Sequence, residues 1–337
     1  MSDVARLAGV SVATVSAVVN GKGGVSQERK RRVEEAMLAL DYHPDHIARS
    51  LKVGRSNVIG MVVPDVTNAF YTEVMRGLED EAWANGYSLI LCNSGEDPAH
   101  EQHHLNTLFS RRVDGVVLAC ADSSAAYDRL TRRRFPLVFV DRIPLGYEQA
   151  AVTTDNVGAA YDATRHLIEL GHERIALIAG RLRFSNGIDR VEGFRKAMQE
   201  ARLPIREEYF RRGDFQIEGG YREGLALLQL GEPPTAIFSC NNKMTLGLMR
   251  AIGESRVDCP AQVSVLGFDD FEWAANFSPK LTAVAQPTRE IGKHAMRMLL
   301  RKMRPREDAA GESTERVVKI KAELRVREST ARPSPEQ

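Results

Sequence analysis

Cysteine and tryptophan are scarce in this chain, and long apolar runs are missing altogether. The four cysteines, Cys92, Cys120, Cys240 and Cys259, stand far apart and form no C-x-x-C pair, which argues against a disulfide or zinc framework and suits reduced, mostly buried thiols. No stretch approaches the roughly 18 to 20 apolar residues of a membrane span, and the amino end lacks the basic start and unbroken apolar stretch of a secretory signal. The expected location is therefore the cytoplasm, with no membrane partner. There is also no Walker lysine loop and no G-x-S-x-G elbow, so the usual marks of nucleotide or acyl chemistry are absent. Net charge is only +1, but residues 1 to 56 carry nine lysines and arginines against six acidic residues, leaving −2 for the rest. A bias this small is weak by itself, since charge runs commonly just solvate a helix face.

What is present begins at the amino end. In Asp3 to Asn20, DVARLAGVSVATVSAVVN, Val4, Leu7 and Ala8 repeat at i, i+3, i+4, and so do Val15, Val18 and Val19. Each short segment offers one buried stripe. Gly9 permits a sharp turn between them, and Ser11 can cap the second helix, leaving its amino end to face a partner. This is a helix-turn-helix pattern, and in DNA readers the partner is the major groove. A helical hairpin inside a core would share the pattern. After Gly21-Lys22-Gly23-Gly24, Ser26 is placed to cap a third helix in which Val33, Met37 and Leu40 face inward. Arg29, Lys30, Arg31 and Arg32 near its start suit phosphate contact and plain solvation equally. Pro44 ends the pattern, and the basic segment DHIARSLKVGRS joins these helices to the rest of the chain.

At 337 residues with 43% hydrophobic content, two or three domains are expected. From Asn57, apolar runs alternate with amphipathic helices: NVIGMVVPD, a helix from about Phe70 to Asn85, YSLILCNS, RVDGVVLA and PLVFVDR. A second set runs through AVTTD, a helix over Asn156 to Leu170, RIALIAG, a helix over Gly187 to Arg202, GDF, TAIFSC and QVSVLGFDD. That alternation predicts two doubly wound parallel-sheet lobes. Such sheets bind small molecules at the carboxyl ends of their strands. LTAVAQP, a helix near Thr288 to Met303 and ERVVKIKAELRV close the chain before a polar, proline-rich tail.

One enzyme signal competes. His100-Glu101-Gln102-His103-His104 fits H-E-x-x-H, the zinc protease helix. It opens an amphipathic helix whose Leu105, Leu108 and Phe109 face inward, which places the histidines on a solvated face.

The strings DVARLAGVSVATVS, VVN, VSQERKRRVEEAMLALDYHP and IARSLK, followed in order by VDGVVLA, GHERIALIAG, DRVEGF, VSVLGFDD and LTAVAQP, resemble the lactose/galactose repressor family of bacterial transcription regulators. The likeness covers about residues 3 to 330, and the hinge ARSLKV is most similar to that of the family's purine repressors. It implies an α-helical headpiece at 1–43, a hinge helix or linker at 44–56, and an α/β core of periplasmic-binding-protein type. The N-terminal lobe would comprise 57–153 and 287–313, the C-terminal lobe 154–286 and 314–330, and a disordered tail 331–337. Family members carry several more residues ahead of the position of Asp3, so the resemblance implies a native start that is partly missing or misassigned here.

The resemblance implies a repressor, not an enzyme, without cofactor or metal. Ser11, Thr14, Ser16, Asn20 and Ser26 match positions that contact the DNA backbone. Val12, Ala13 and Ala17 match the base readers, where many relatives carry Tyr, Gln, Thr, Arg or His. None of the three can donate to a base edge, so readout should lean on apolar contact and DNA shape. Leu51 matches an apolar wedge inserted into the minor groove, with Lys52 beside it. Two wedges meeting at an operator's centre imply a homodimer on a near-palindromic site, and no leucine heptad in the tail suggests a tetramer. Phe70, Tyr71, Arg190, Phe215, Asn241 and Asp269 match effector-contacting positions, with Asn186 and Asp155 nearby. Arginine and asparagine donors, an aspartate acceptor and stacking aromatics suit a polyhydroxyl ligand. Phe184 stands where the purine repressor has a ligand-binding arginine, which argues against a purine effector and favours a sugar or sugar derivative. The rival is a periplasmic-type solute-binding protein without DNA function, and the amino-terminal helix-turn-helix separates the two.

Overall fold

The computed structural model describes residues 1–19, 23–42, 55–121, 127, 135–144, 147, 150–304 and 316–334. It divides into two compact units, Met1–Ser56 and Asn57–Gln337.

In the first unit, α1 (Ser2–Ala8), α2 (Val12–Val19) and α3 (Gln27–Ala39) surround one small core. Helix α1 stops because Gly9 turns left-handed at φ 61, its N–H closing onto the Ala5 and Arg6 carbonyls. The Ser11 hydroxyl then accepts from the Thr14 N–H at 3.1 Å and starts α2. The two helices meet at 101°, inside the roughly 90–120° range of helix-turn-helix motifs. Val4, Ala5, Ala8, Val15, Val33 and Ala36 form the core, with Val18, Val19 and Met37 at its margin. Leu7 and Leu40, expected inside, are 57% and 43% exposed. A core this small covers a stripe centred between Val4 and Ala8, and Ala5 takes the place that spacing gave to Leu7. Ser26 occupies the position before α3, but its side chain makes no capping hydrogen bond. Asn20, His43 and residues 44–54 of the expected hinge, Leu51 and Lys52 among them, lie outside the described residues.

The second unit runs β1 (Val58–Val63), α4 (Ala69–Ala84), β2 (Ser88–Asn93), α5 (Pro98–Ser110), β3 (Gly115–Leu118), β4 (Leu137–Val140) and β5 (Ala151–Thr154). It continues with α6 (Asn156–Glu169), β6 (Ile175–Ala179), α7 (Ser185–Glu200), β7 (Phe210–Arg212), α8 (Ile217–Leu228), β8 (Ala236–Ser239), α9 (Asn242–Ser255) and β9 (Ser264–Phe268). Strand β10 (Thr282–Ala285), α10 (Thr288–Met303), β11 (Val317–Ile320) and β12 (Glu323–Arg325) complete it. The sheets order as β11-β5-β4-β3-β1-β2 and β12-β10-β9-β8-β6-β7. Among the described strands every pairing is parallel except β10 with β12. Central strands such as Ile175–Ala179 and Ser264–Phe268 are buried at every residue, as parallel strands covered on both faces must be.

The chain passes between lobes after β5, after β10 and after β11. The last passage corrects the expected boundary: Val317–Ile320 pairs with β5 in the first sheet, so 314–330 is not wholly C-terminal lobe. ERVVKIKAELRV reads as one strand in sequence, but its partner changes at Lys321-Ala322. The tail also starts later than residue 331. His172 Nε2 donates to the Ala331 carbonyl at 2.8 Å, and the Ala331 N–H donates to Ser264 Oγ at 3.0 Å. Among the described residues, no single helix is long and apolar enough to cross a membrane.

Candidate effector site and nucleic-acid interface

A narrow cavity of about 30 Å³ lies between the carboxyl ends of the two sheets. All six residues expected to contact the effector, Phe70, Tyr71, Arg190, Phe215, Asn241 and Asp269, line it. So do Asp141, Arg142, Glu96 and Gln286, which sequence reasoning missed, and Asn186. Asp155 does not: its carboxylate caps α6 by accepting from the Gly158 N–H at 3.1 Å.

Two aspartates face each other across the site. Asp141 follows β4 and Asp269 follows β9, and both have left-handed backbones, φ 66 and 79. Phe215 shares this geometry at φ 66. Non-glycine residues held there store strain of about 1–3 kcal/mol each and cluster at functional sites. Gly180 makes room for the Phe215 ring, since a Cβ there would come within 2.0 Å of it. Asp141 accepts from the Tyr71 hydroxyl at 2.9 Å and the Asn186 amide at 3.1 Å. Burial raises the Tyr71 pKa well above the ordinary tyrosine value, which keeps it a neutral donor. Asp269 accepts from the Asn242 N–H at 3.2 Å and from Gln286. Burial pushes its carboxyl up against the opposing charge of Arg190.

Arg190, 2% exposed, donates to Asn156 Oδ1 at 2.9 Å and the Cys240 carbonyl at 2.5 Å, with its guanidinium 3.6 Å over Phe268. Its plane is thereby fixed, leaving unused donors for a ligand. The expectation that Asn241 donates to ligand meets a competing role. Its Oδ1 caps α9 through the Met244 N–H at 2.9 Å, and its Nδ2 serves Phe215 O and Asn242 Oδ1 at 3.2 and 3.4 Å. An asparagine immediately before a helix is a cap signal that the sequence displayed. Burial pushes the Cys240 thiol up to about 12, so it stays protonated at neutral pH.

The lobes touch directly around this cavity. The Asn242 Nδ2 donates to Asn68 Oδ1 at 2.9 Å and the Asn68 Nδ2 to Asn242 Oδ1 at 3.4 Å, and Lys243 pairs with Asp65. Although burial works against it, Lys243 and Thr67 hold the Asp65 carboxyl below its usual range. Glu96 bridges Arg142 at 3.0 Å and Arg181 at 3.4 Å. Phe184 is fully buried and leaves its own lobe to join the N-terminal lobe's core beside Cys120 and Phe139. The Arg142 guanidinium lies 4.2 Å over its ring. The position that sequence comparison flagged as a missing arginine therefore supports an arginine from the other lobe.

In the first unit, Val12, 46% exposed, and Ala13 are solvent-facing, and Ala17 is half-buried. Ser11 and Thr14 hydroxyls lie 2.9 Å apart. The zinc-like motif dissolves: Glu101 turns inward, accepting from the Ala121 N–H at 2.6 Å and the Tyr127 hydroxyl, and is only 1% exposed. Among the described residues, no group of three or more candidate ligands could hold a metal ion.

A helix-turn-helix unit joined in one chain to a two-lobed domain with a polar interlobe cavity defines a ligand-responsive transcription regulator. Comparison with known proteins agrees. Residues 1–45 match the lacI family of bacterial regulatory proteins, and 164–330 match the periplasmic binding protein-like domain. The chain is 35% identical over 309 residues to the HTH-type transcriptional repressor PurR of Vibrio atlanticus (strain LGP32), covering 91% of this chain and 92% of that one. Among solved structures, the lac repressor dimer bound to operator and the anti-inducer ONPF superposes with TM-score 0.86 at 27% identity, covering 98% of each chain. A putative ribose operon repressor from Burkholderia thailandensis gives 0.73 at 34% identity, over 80% of this chain and 99% of that one. A regulator from Enterococcus faecium with bound ribose gives 0.71 at 30% identity, over 82% and 99%. The chain belongs to the lacI family and is a transcriptional repressor of the LacI/PurR type with a ligand-binding domain. No enzymatic family is indicated.

Proposed function

We propose that the effector is a small neutral sugar on the scale of a pentose, and that it controls a homodimer's affinity for a near-palindromic operator. One observation carries the sugar reading. Arg142 Nε and Asn186 Oδ1, on buried residues lining the cavity, have no hydrogen-bond partner among the described residues. Leaving a buried donor and a buried acceptor unpaired costs about 1–3 kcal/mol each. A ligand that satisfies both must accept at one point and donate at another, as successive hydroxyls do. Charge supports neutrality: Asp65, Glu96, Asp141 and Asp269 are balanced by Arg142, Arg190, Lys243 and, through Glu96, Arg181. A sugar phosphate would bring about two negative charges with no cation left for them among the described lining residues. The regulator with bound ribose and the ribose operon repressor are consistent with this reading.

Operator binding and dimerisation follow the lac repressor dimer, with Leu51 as the wedge and Lys52 beside it. Ser11, Thr14, Ser16, Asn20 and Ser26 would then position the phosphates. Sugar binding favours the closed lobes, and closure changes the separation of the hinge segments across the dimer. In a thermal-shift assay on the full chain, D-ribose is expected to stabilise the protein by about 2.7 kcal/mol at a hundredfold excess over Kd. Hypoxanthine and guanine should leave it unmoved. Stabilisation by a purine alone would overturn the sugar assignment.

A further inference from the structure

Helix α2 carries no arginine, lysine, asparagine or glutamine, so it has none of the side chains that bond bidentately to guanine or adenine. At ~100° per residue, Ala13 and Ala17 lie ~160° from the buried Val15, on the side of the helix opposite the core, with Ala13 exposed and Ala17 half-buried. Val12 adds an exposed isopropyl group at its amino end, the end that recognition helices present to base edges. Thr14 and Ser16 fall ~100° to either side of Val15, which sets their hydroxyls on the flanks of that side, toward the groove walls. The surface that would meet the floor of the major groove is thus built from methyl groups, with the polar groups at its sides.

We propose that this repressor reads its half-site through thymine 5-methyl groups, with Val12, Ala13 and Ala17 as the reading residues. This rests on operator binding by α2. A methyl is the one apolar group that the major groove displays, and a ridge of alanines brings the helix backbone close enough to bury it. Because the contact needs no hydrogen bond, any base that presents a methyl at the same place should serve.

The test uses the full chain and the duplex it enriches from random DNA. Each thymine is replaced in turn by deoxyuridine, which deletes the methyl and keeps every hydrogen-bonding group. At one or more thymines in each half-site, affinity should fall about fourfold per methyl, and about fifteenfold when both half-sites are changed. Replacing that T·A pair by C·G should cost at least as much, and 5-methylcytosine should recover most of the loss. Val12→Ser, at an exposed position, should reduce the thymine-to-uracil difference at its own thymine to below about twofold. Tight binding with no sensitivity to uracil at any thymine would overturn methyl readout while leaving operator binding intact. If no duplex is enriched at all, operator binding itself fails, and the inference with it.

Discussion

Replacing Asp269 by asparagine is expected to weaken sugar binding by roughly a hundredfold, about 3 kcal/mol, and to make operator affinity insensitive to the sugar. The carboxylate is 8% exposed at the end of β9. One oxygen accepts from the Asn242 N–H and the other from Gln286, so its remaining lone pairs point where a ligand hydroxyl would donate. An asparagine keeps one acceptor and presents an amide N–H to a group that also donates. That costs a charge-assisted hydrogen bond to the ligand and loosens Gln286, which in turn holds Thr154 of the other lobe. Calorimetry with D-ribose reads the affinity, and fluorescence anisotropy on operator DNA reads the response. A variant that still responds to the sugar with near-normal affinity would remove Asp269 from the site.

Phe184→Ala should have an effect of similar size by a different route. The ring crosses from one lobe into the core of the other, where Ser185 Oγ accepts from the Ile143 N–H at 2.9 Å and Pro144 bridges to Phe184. Opening the lobes must withdraw it, so its burial contributes to the closed state. Truncating a buried phenylalanine commonly costs about 3–5 kcal/mol. Here the loss should divide between general stability and closure. Sugar affinity is reduced by the fraction of molecules that can close, and a ten- to hundredfold rise in Kd is expected, with Phe184→Leu recovering most of it. A lower unfolding midpoint with unchanged Kd in the folded variant would make Phe184 an ordinary core residue.

These two residues show why part of the site could be read from sequence and part could not. Asp269 stands out because GFDD follows a buried strand, at the place where parallel sheets present ligand groups. Asp141 occupies the matching place in the other lobe, after PLVFV, yet Asp-Arg there reads as an ordinary strand end. Only the fold shows that both fourth strands of their lobes finish in a left-handed aspartate. Arg142 is invisible for a different reason, because its orientation is set by Glu96, Arg181 and Phe184, the last two on the opposite lobe. The lobes themselves were readable from alternation of strand and helix. The third crossing was not, since the strands on either side of Lys321-Ala322 have the same character. In the headpiece, periodicity identified the helices but not how wide a stripe so small a core covers, which is why Leu7 and Leu40 lie outside it.

We propose that a neutral sugar, and not a purine, sets operator affinity through the interlobe cavity. Anisotropy of an enriched operator duplex with the full chain, titrated in parallel with D-ribose and with hypoxanthine, tests it most directly. Ribose should shift the apparent operator Kd at least tenfold, about 1.4 kcal/mol of coupling, while hypoxanthine leaves it unchanged. A shift produced by hypoxanthine and not by ribose would contradict it.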